Sequence, residues 1–149
     1  MLIYWIRNDF RFIDNEALNY LSNYNGKKLC FYSYDESKFK DRSAQKWWLY
    51  KSLTNFRSNL EDKKYKFNFF INSELNSLKS LLKKKDFKIY WNKVYEPDYL
   101  KFDEYLSSSL KNKDITYKKF KGNTLNEVDE IKKNDGTPFK VFTPFWRNA

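Results

Sequence analysis

The chain has 149 residues, of which 41% are apolar and 21% are aromatic, enough to fill the core of one domain. Charged residues make up 32%, and no stretch approaches the ~20 uninterrupted apolar residues that span a bilayer, so no membrane segment is expected. The net charge of +10 is weak evidence for nucleic-acid binding, because the lysines are spread along the chain and the one compact run, 83–85, suits a solvated helix end.

Short apolar runs predict five β-strands, over residues 2–6, 29–34, 67–71, 87–91 and 115–120. The first strand lacks the basic flank and the cleavage site of a signal peptide. The first four strands are apolar almost throughout, which predicts that both of their faces are covered.

Four helices are predicted between these strands, where apolar residues recur every three or four positions. The predicted buried faces are Ala17, Leu21 and Tyr24; Leu49, Leu53, Phe56 and Leu60; Leu75, Leu78 and Leu82; and Phe102, Leu106 and Leu110. Asn15, Ser43 and Ser73 are the predicted N-caps, and Pro97 suits a first turn. This alternation predicts an α/β fold, a doubly wound five-stranded parallel sheet flanked by helices (Rossmann-like).

Sheets of this kind bind ligands in the crevice beyond the carboxyl ends of their strands. Four aromatic residues lie in or next to those ends, where they could stack on a planar ligand or fill the core: Trp5, Tyr32, Tyr34 and Trp91. For any single ring the structural role is favoured. Asp9 or Glu96 could accept N–H groups of a ligand, and solvated or salt-bridged acids are the alternative.

The motifs and residue types that the sequence lacks argue against several classes of binding and catalytic site. There is no Gly-x-Gly-x-x-Gly sequence and no P-loop, which argues against ordinary dinucleotide and nucleoside triphosphate sites. The chain has no histidine and one cysteine, Cys30, whose apolar neighbours predict a buried, inert thiol in a reducing cytoplasm. No catalytic residue and no metal site are predicted in this chain.

The C-terminal segment is unusually aromatic. After an Asp135-Gly136 turn, residues 138–147 (PFKVFTPFWR) hold two prolines and four aromatic rings. A domain that ended here would leave apolar surface uncovered, so this segment is expected to dock on further protein that the chain lacks.

Four segments of the chain resemble one protein family. Residues 3–18 (IYWIRNDFRFIDNEAL) resemble the opening of photolyases and cryptochromes, and residues 43–53 resemble the second helix of class I photolyases. Residues 90–97 are similar to the family's fourth strand and the loop after it, and residues 140–146 resemble the start of the crossing to its helical domain. These segments occur in the family's order and cover essentially the whole chain.

The resemblance implies a class I deoxyribodipyrimidine photolyase, which repairs cyclobutane pyrimidine dimers in DNA with blue light. Residues 1–122 would form the light-harvesting (antenna) α/β domain, and residues 123–149 would begin the linker to a missing C-terminal helical domain. That domain would hold the catalytic FAD and most of the surface that binds damaged DNA. The isolated chain is therefore expected to be inactive, and the full-length protein to be a cytoplasmic monomer.

The antenna chromophore implied by the resemblance is methenyltetrahydrofolate, or in other members a deazaflavin or a flavin. Departures from the family pattern at Asn8, Phe10, Val94 and Tyr99 leave its identity open. The predicted cofactor-binding residues of the crevice are Asn8, Asp9, Tyr32, Tyr34, Asp35, Lys46, Asn92 and Glu96.

Three alternatives stay open. The ionic residues Arg7, Asp9, Arg11 and Asp14 could instead form an ion-pair cluster that orders the first loop. The whole protein could be a cryptochrome-type photoreceptor, which the residues around the flavin would decide. The chain could also be a free-standing nucleotide-binding α/β domain, although such a domain usually has a glycine-rich phosphate loop and would not need the aromatic C-terminal segment.

Overall fold

A computed structural model describes residues 1–71, 74–83, 86–127 and 130–149. The predicted N-cap Ser73 and two lysines of the basic run, Lys84 and Lys85, lie outside the described residues. The same holds for the side chains of Leu75 and Leu82, which were assigned to the buried face of the third helix.

Five strands form one parallel sheet, which confirms the predicted fold class. The strands are β1 (Leu2–Ile6), β2 (Lys28–Tyr34), β3 (Lys66–Ile71), β4 (Lys88–Asn92) and β5 (Tyr117–Phe120). Their spatial order is β3-β2-β1-β4-β5. The strand order therefore reverses between β1 and β4, which is where doubly wound sheets open a crevice.

Four helices lie in the predicted segments and two are additional, but Tyr24, assigned to the buried face of the first, lies beyond its last residue, Ser22. The helices are α1 (Glu16–Ser22), α2 (Ser43–Asp62), α3 (Glu74–Leu82), α4 (Pro97–Lys111) and α5 (Phe142–Asn148), with a short 3-10 helix at Glu36–Phe39. None of the described helices is long and apolar enough to cross a bilayer.

The two faces of the sheet carry separate apolar cores, because successive residues of a strand point to opposite sides. In β1, Leu2, Tyr4 and Ile6 pack on the side of α1 and α2. Ile3 and Trp5 pack on the other side, against residues of α3 and α4. Both faces of the central strand are therefore covered, as its continuous apolar sequence predicts.

The prediction that β3 is covered on both faces is wrong. Phe69 and Ile71 are 46% and 74% exposed. At this edge of the sheet both side chains line an open cavity between β3 and α2, so the helix leaves this end of the strand uncovered. Its apolar sequence resembles that of a central strand, and only the strand order distinguishes the two.

Of the described helix starts, two match their predictions and one does not. Asn15 caps α1, since its side chain accepts a hydrogen bond from the backbone N–H of Leu18 at 3.0 Å. Pro97 begins α4 as predicted. Ser43 is instead the first residue of α2, and the residue before it, Arg42, makes no side-chain capping bond.

Candidate functional site

Two cavities meet at the carboxyl edge of the sheet, and Asn8 lines both of them. The first, here called the polar cleft, has a volume of about 330 Å³ and lies between the loops that follow β1 and β4, with residues 122–124 as its outer wall. The second, the aromatic cleft, has a volume of about 600 Å³ and lies between the ends of β1 and β2 and the first turns of α2. Both volumes fall in or near the range of small-molecule sites.

Asp9 stands in the polar cleft with its hydrogen-bonding capacity filled. Its carboxylate accepts both Nε and Nη2 of Arg11 at 2.9 Å, and the Arg11 backbone N–H at 3.1 Å. It also accepts Nδ2 of Asn92 at 3.1 Å. A carboxylate has about four acceptor positions, so this geometry favours a structural role for Asp9 over contact with a ligand.

The proposed ion-pair cluster of the first loop forms in part. Arg11 pairs with Asp9 and, at 3.4 Å, with Asp14. The hydrogen bonds and charge of Asp9 raise the pKa of Arg11, although burial opposes the shift. Arg7 is not part of this cluster, because its guanidinium turns inward and pairs with Asp103 of α4.

A buried network joins the polar cleft to the start of α1. Asn92 donates to Oδ1 of Asn15 at 3.0 Å, and Asn15 donates to the Tyr4 hydroxyl at 3.1 Å. Burial raises the pKa of Tyr4, so its phenol stays neutral in this setting. The cap of α1 is thereby connected to the end of β4, which fixes the floor of the cleft.

Several buried polar atoms of residues that line the polar cleft have no hydrogen-bond partner among the described residues. They are Nε and Nη1 of Arg7, Oδ1 of Asn92 and Oγ1 of Thr124. An unpartnered buried polar group costs about 1–3 kcal/mol, and native proteins keep few of them. Their concentration here marks the cleft as a candidate for binding water or a polar part of a ligand.

The outer wall of the polar cleft is held by a clasp that the sequence analysis missed. Glu127 accepts Nζ of Lys93 at 2.9 Å and the Tyr95 hydroxyl at 2.8 Å. The Gly122 N–H donates to the same hydroxyl at 3.2 Å, and a Cβ at Gly122 would come within 2.3 Å of the Lys93 carbonyl oxygen. The isolated glycine after the last strand was the only signal in the sequence for this close approach.

The electrostatics of the clasp favour an ionised Glu127. Burial opposes the charged form, but the hydrogen bonds from Lys93 and Tyr95 outweigh burial and lower the pKa of Glu127. A lowered pKa means that the clasp holds above the ordinary pKa of a glutamate and weakens as the pH falls through the lowered value.

The aromatic cleft has the walls expected for a planar ligand. The side-chain amides of Asn8 and Gln45 contribute polar groups to it. Four aromatic rings also line it: Phe10, Tyr32, Phe39 and Trp48. The rings of Phe10 and Tyr32 lie 5.9 Å apart, while Trp48 is 67% exposed at the rim. Aromatic walls with a few convergent polar groups are typical of small-molecule sites.

The remaining predicted site residues lie apart from the two clefts. Tyr34 and Lys46 line a third cavity of about 440 Å³, between α2 and β3. Asp35 caps the 3-10 helix by accepting the Ser37 N–H at 3.1 Å. Trp5 and Trp91 are buried in the core, which is the structural role that the sequence favoured for these rings.

The structure therefore brings together five of the eight predicted site residues and separates the other three. Asn8, Asp9, Asn92 and Glu96 line the polar cleft, and Tyr32 joins them through the aromatic cleft. No group of three or more metal-ligating side chains occurs within the described residues. Burial raises the pKa of Cys30 to about 12, which keeps this thiol protonated in the core.

Comparison with known proteins gives a consistent result. The family model for DNA photolyase matches residues 2–149. The deoxyribodipyrimidine photo-lyase of Agrobacterium fabrum is 30% identical over 147 residues, which are 98% of this chain and 31% of that protein. Cryptochrome-2 of Arabidopsis thaliana is 26% identical over 160 residues, with 99% of this chain and 25% of that protein covered.

A solved structure shows the same fold. The bacterial class III photolyase from Agrobacterium tumefaciens superposes with a TM-score of 0.83 at 29% identity, and the match covers 98% of this chain and 30% of that one. This chain thus spans about a third of the length of its photolyase relatives.

Proposed function

The chain belongs to the DNA photolyase family, and from that premise we propose that it is the light-harvesting domain of a deoxyribodipyrimidine photolyase. In this proposal the whole protein repairs cyclobutane pyrimidine dimers with blue light. Its FAD sits in a C-terminal helical domain, which receives a dimer flipped out of the duplex. Class I membership stays a prediction, since the similar solved enzyme is of class III.

The main support for the light-harvesting role is the aromatic cleft. It lies at the carboxyl edge where α/β sheets bind ligands, and its volume of about 600 Å³ suits a bicyclic or tricyclic ring. Phe10 and the exposed ring of Trp48 offer ring faces for stacking. Asn8 and Gln45 offer amide groups for the polar edge of a chromophore. When bound, the chromophore would absorb light and pass the excitation to FAD.

The first turn of α2 adds a place for an anionic group. Ala44 and Gln45 border the cleft, and Arg42 supplies no side-chain cap to the backbone N–H groups there. Uncapped N–H groups at a helix start favour an anion. Methenyltetrahydrofolate, with its carboxylates, is our first choice, and a deazaflavin or a flavin fits the same chemistry.

We also propose that residues 123–149 begin the linker to the helical domain. Support comes from α5, where Phe142 and Trp146 stack on each other yet are 70% and 62% exposed. Rings so exposed fit a segment that packs on further protein. Damaged DNA would bind the full-length monomer in the cytoplasm.

The test is a binding titration of the purified chain with methenyltetrahydrofolate, flavin mononucleotide and a deazaflavin, followed by absorbance and fluorescence. We expect micromolar or weaker binding of one of them, with loss of at least tenfold in affinity for Asn8→Ala, an exposed residue that lines both clefts. Tyr105→Ala, at an exposed position on α4, is the control and should bind like the unmodified chain. No binding of any of the three would remove the light-harvesting role.

A cryptochrome-type photoreceptor is the second candidate, favoured by the similarity to Cryptochrome-2. Such a protein would share the antenna fold and lack repair. Repair of a dimer-containing oligonucleotide under blue light by the full-length protein separates the two functions. A free-standing nucleotide-binding domain receives no support from the family match over residues 2–149.

A further inference from the structure

Arg7 is a buried cation that directly precedes Asn8, the residue shared by both clefts. Its side chain is only 2% exposed. A guanidinium keeps its charge in proteins and is costly to bury without a counter-charge. The group that supplies this counter-charge therefore fixes the position of Arg7 and, with it, the start of the loop after β1.

Asp103 of α4 provides that counter-charge across 96 positions of the sequence. One carboxylate oxygen pairs with Arg7, and the other accepts the indole N–H of Trp91 at 3.1 Å. Among the described residues, Asp103 carries the one carboxylate that pairs with Arg7. The Asp103 side chain is itself 4% exposed, so water does not replace it.

Two aromatic rings also contact Arg7. The guanidinium carbon lies 3.9 Å from the centroid of the Trp5 ring and 5.3 Å from that of the Tyr99 ring, in cation–π contact with both. Nε and Nη1 of Arg7 have no hydrogen-bond partner in the described part of the chain. Loss of Asp103 would leave the guanidinium with two aromatic rings and no counter-charge, so water would compete for it.

We infer that Asp103 is a positioning residue for the proposed chromophore site. By holding Arg7 against Trp5, it sets where Asn8 and Asp9 stand at the two clefts. This inference rests on the proposed light-harvesting function. It assigns a role in binding to a residue of α4 that lines neither cleft.

The first variant is Asp103→Asn in the full chain, which keeps the acceptor for Trp91 and removes the charge. We expect the backbone amide resonances of Asn8 and Asp9 to shift in a ¹H–¹⁵N NMR spectrum. Affinity for whichever probe the unmodified chain binds, flavin mononucleotide or methenyltetrahydrofolate, should fall at least tenfold. Asp98→Asn, at an exposed acid in the first turn of α4, is the matched control and should change neither.

A double variant, Arg7→Met with Asp103→Leu, separates positioning from stability. Apolar residues of similar volume often restore the stability that a broken buried pair loses. If the melting temperature returns while the affinity stays at least tenfold weaker, the positioning role is supported. If affinity returns together with stability, Asp103 acts on stability alone and the inference is overturned.

The two proposals fail in different ways. An unmodified chain that binds none of the three chromophores contradicts the light-harvesting function, and the amide resonances then decide the positioning role without a ligand. Shifts at Asn8 and Asp9 in Asp103→Asn, absent in Asp98→Asn, support it. Unchanged resonances in both variants overturn it.

Discussion

The two halves of α2 belong to one helix but differ in what covers them. In the second half, residues 53–62, the side chains of Leu53, Phe56 and Leu60 are buried in the core that β1 and β2 also form. In the first half, residues 43–52, Trp47, Trp48 and Tyr50 are each 60% exposed or more. One half stabilises the fold, and the other leaves aromatic surface beside a cleft, so stability and binding should respond to different substitutions.

The largest expected effect is in the buried half. Phe56 is 1% exposed, and its ring lies 4.6 Å from that of Phe12. Phe56→Ala should lower the free energy of unfolding by about 3–5 kcal/mol, because a cavity replaces the ring. Urea unfolding followed by circular dichroism measures this change. Tyr50→Ala in the exposed half should change the free energy of unfolding by no more than about 0.5 kcal/mol. Equal losses in the two variants would show that both halves of α2 stabilise the fold alike.

A pH effect should come from Cys30, which lies in the same core as Phe56. Burial raises the pKa of this thiol from 9.0 to about 12. The folded state then holds a proton that the unfolded state releases, so stability is full below pH 9 and declines towards pH 12, by at most about 1.4 kcal/mol per pH unit.

The variant Cys30→Ala isolates this contribution from that of the tyrosines. Burial also raises the pKa of Tyr4, Tyr65 and Tyr90, so some alkaline loss should remain in the variant. Unfolding free energies measured from pH 8 to pH 11 should decline less steeply for Cys30→Ala than for the unmodified chain. Identical slopes would show that the thiol is not protected by the core.

A smaller effect is expected in the exposed half, and on binding instead of stability. Trp48 lines the aromatic cleft, while its neighbour Trp47 does not. Trp48→Ala should weaken chromophore binding by about 1 kcal/mol, the value of one aromatic contact, with unfolding free energy nearly unchanged. Trp47→Ala is the control. If both variants bind alike, the cleft is not where the chromophore stacks.

Sequence periodicity predicted much of the fold because its causes are local. Residues 2–6 were assigned to a strand with the bounds that the structure has, since a short run of apolar residues is typical of a strand covered on both faces. The buried face of α2 at Leu53, Phe56 and Leu60 follows in the same way from helical spacing. The side chain of Asn15 caps the helix that begins next to it.

The rest depends on contacts between residues far apart in the sequence. The pairing of Arg7 with Asp103 and the clasp between Lys93 and Glu127 require knowledge of which elements are neighbours. For the same reason Tyr34 was grouped with Asn8, although the two line different cavities. A motif locates the carboxyl edge of a sheet, but it does not say which side of a neighbouring helix each residue faces.

The smallest expected effect concerns the ion pair on the exposed surface of the buried half. Arg57 and Glu61 approach to 2.8 Å at positions i and i+4, with both side chains about half exposed. Water screens such pairs, and this one has the acid after the base, the weaker orientation, near the negative end of the helix dipole. A double-mutant cycle with Arg57→Ala and Glu61→Ala should give a coupling of at most about 0.3 kcal/mol. The coupling should vanish in ~1 M salt, where the screening length is about 3 Å. A coupling above about 1 kcal/mol would mean that this half of α2 draws stability from its surface as well as from its core.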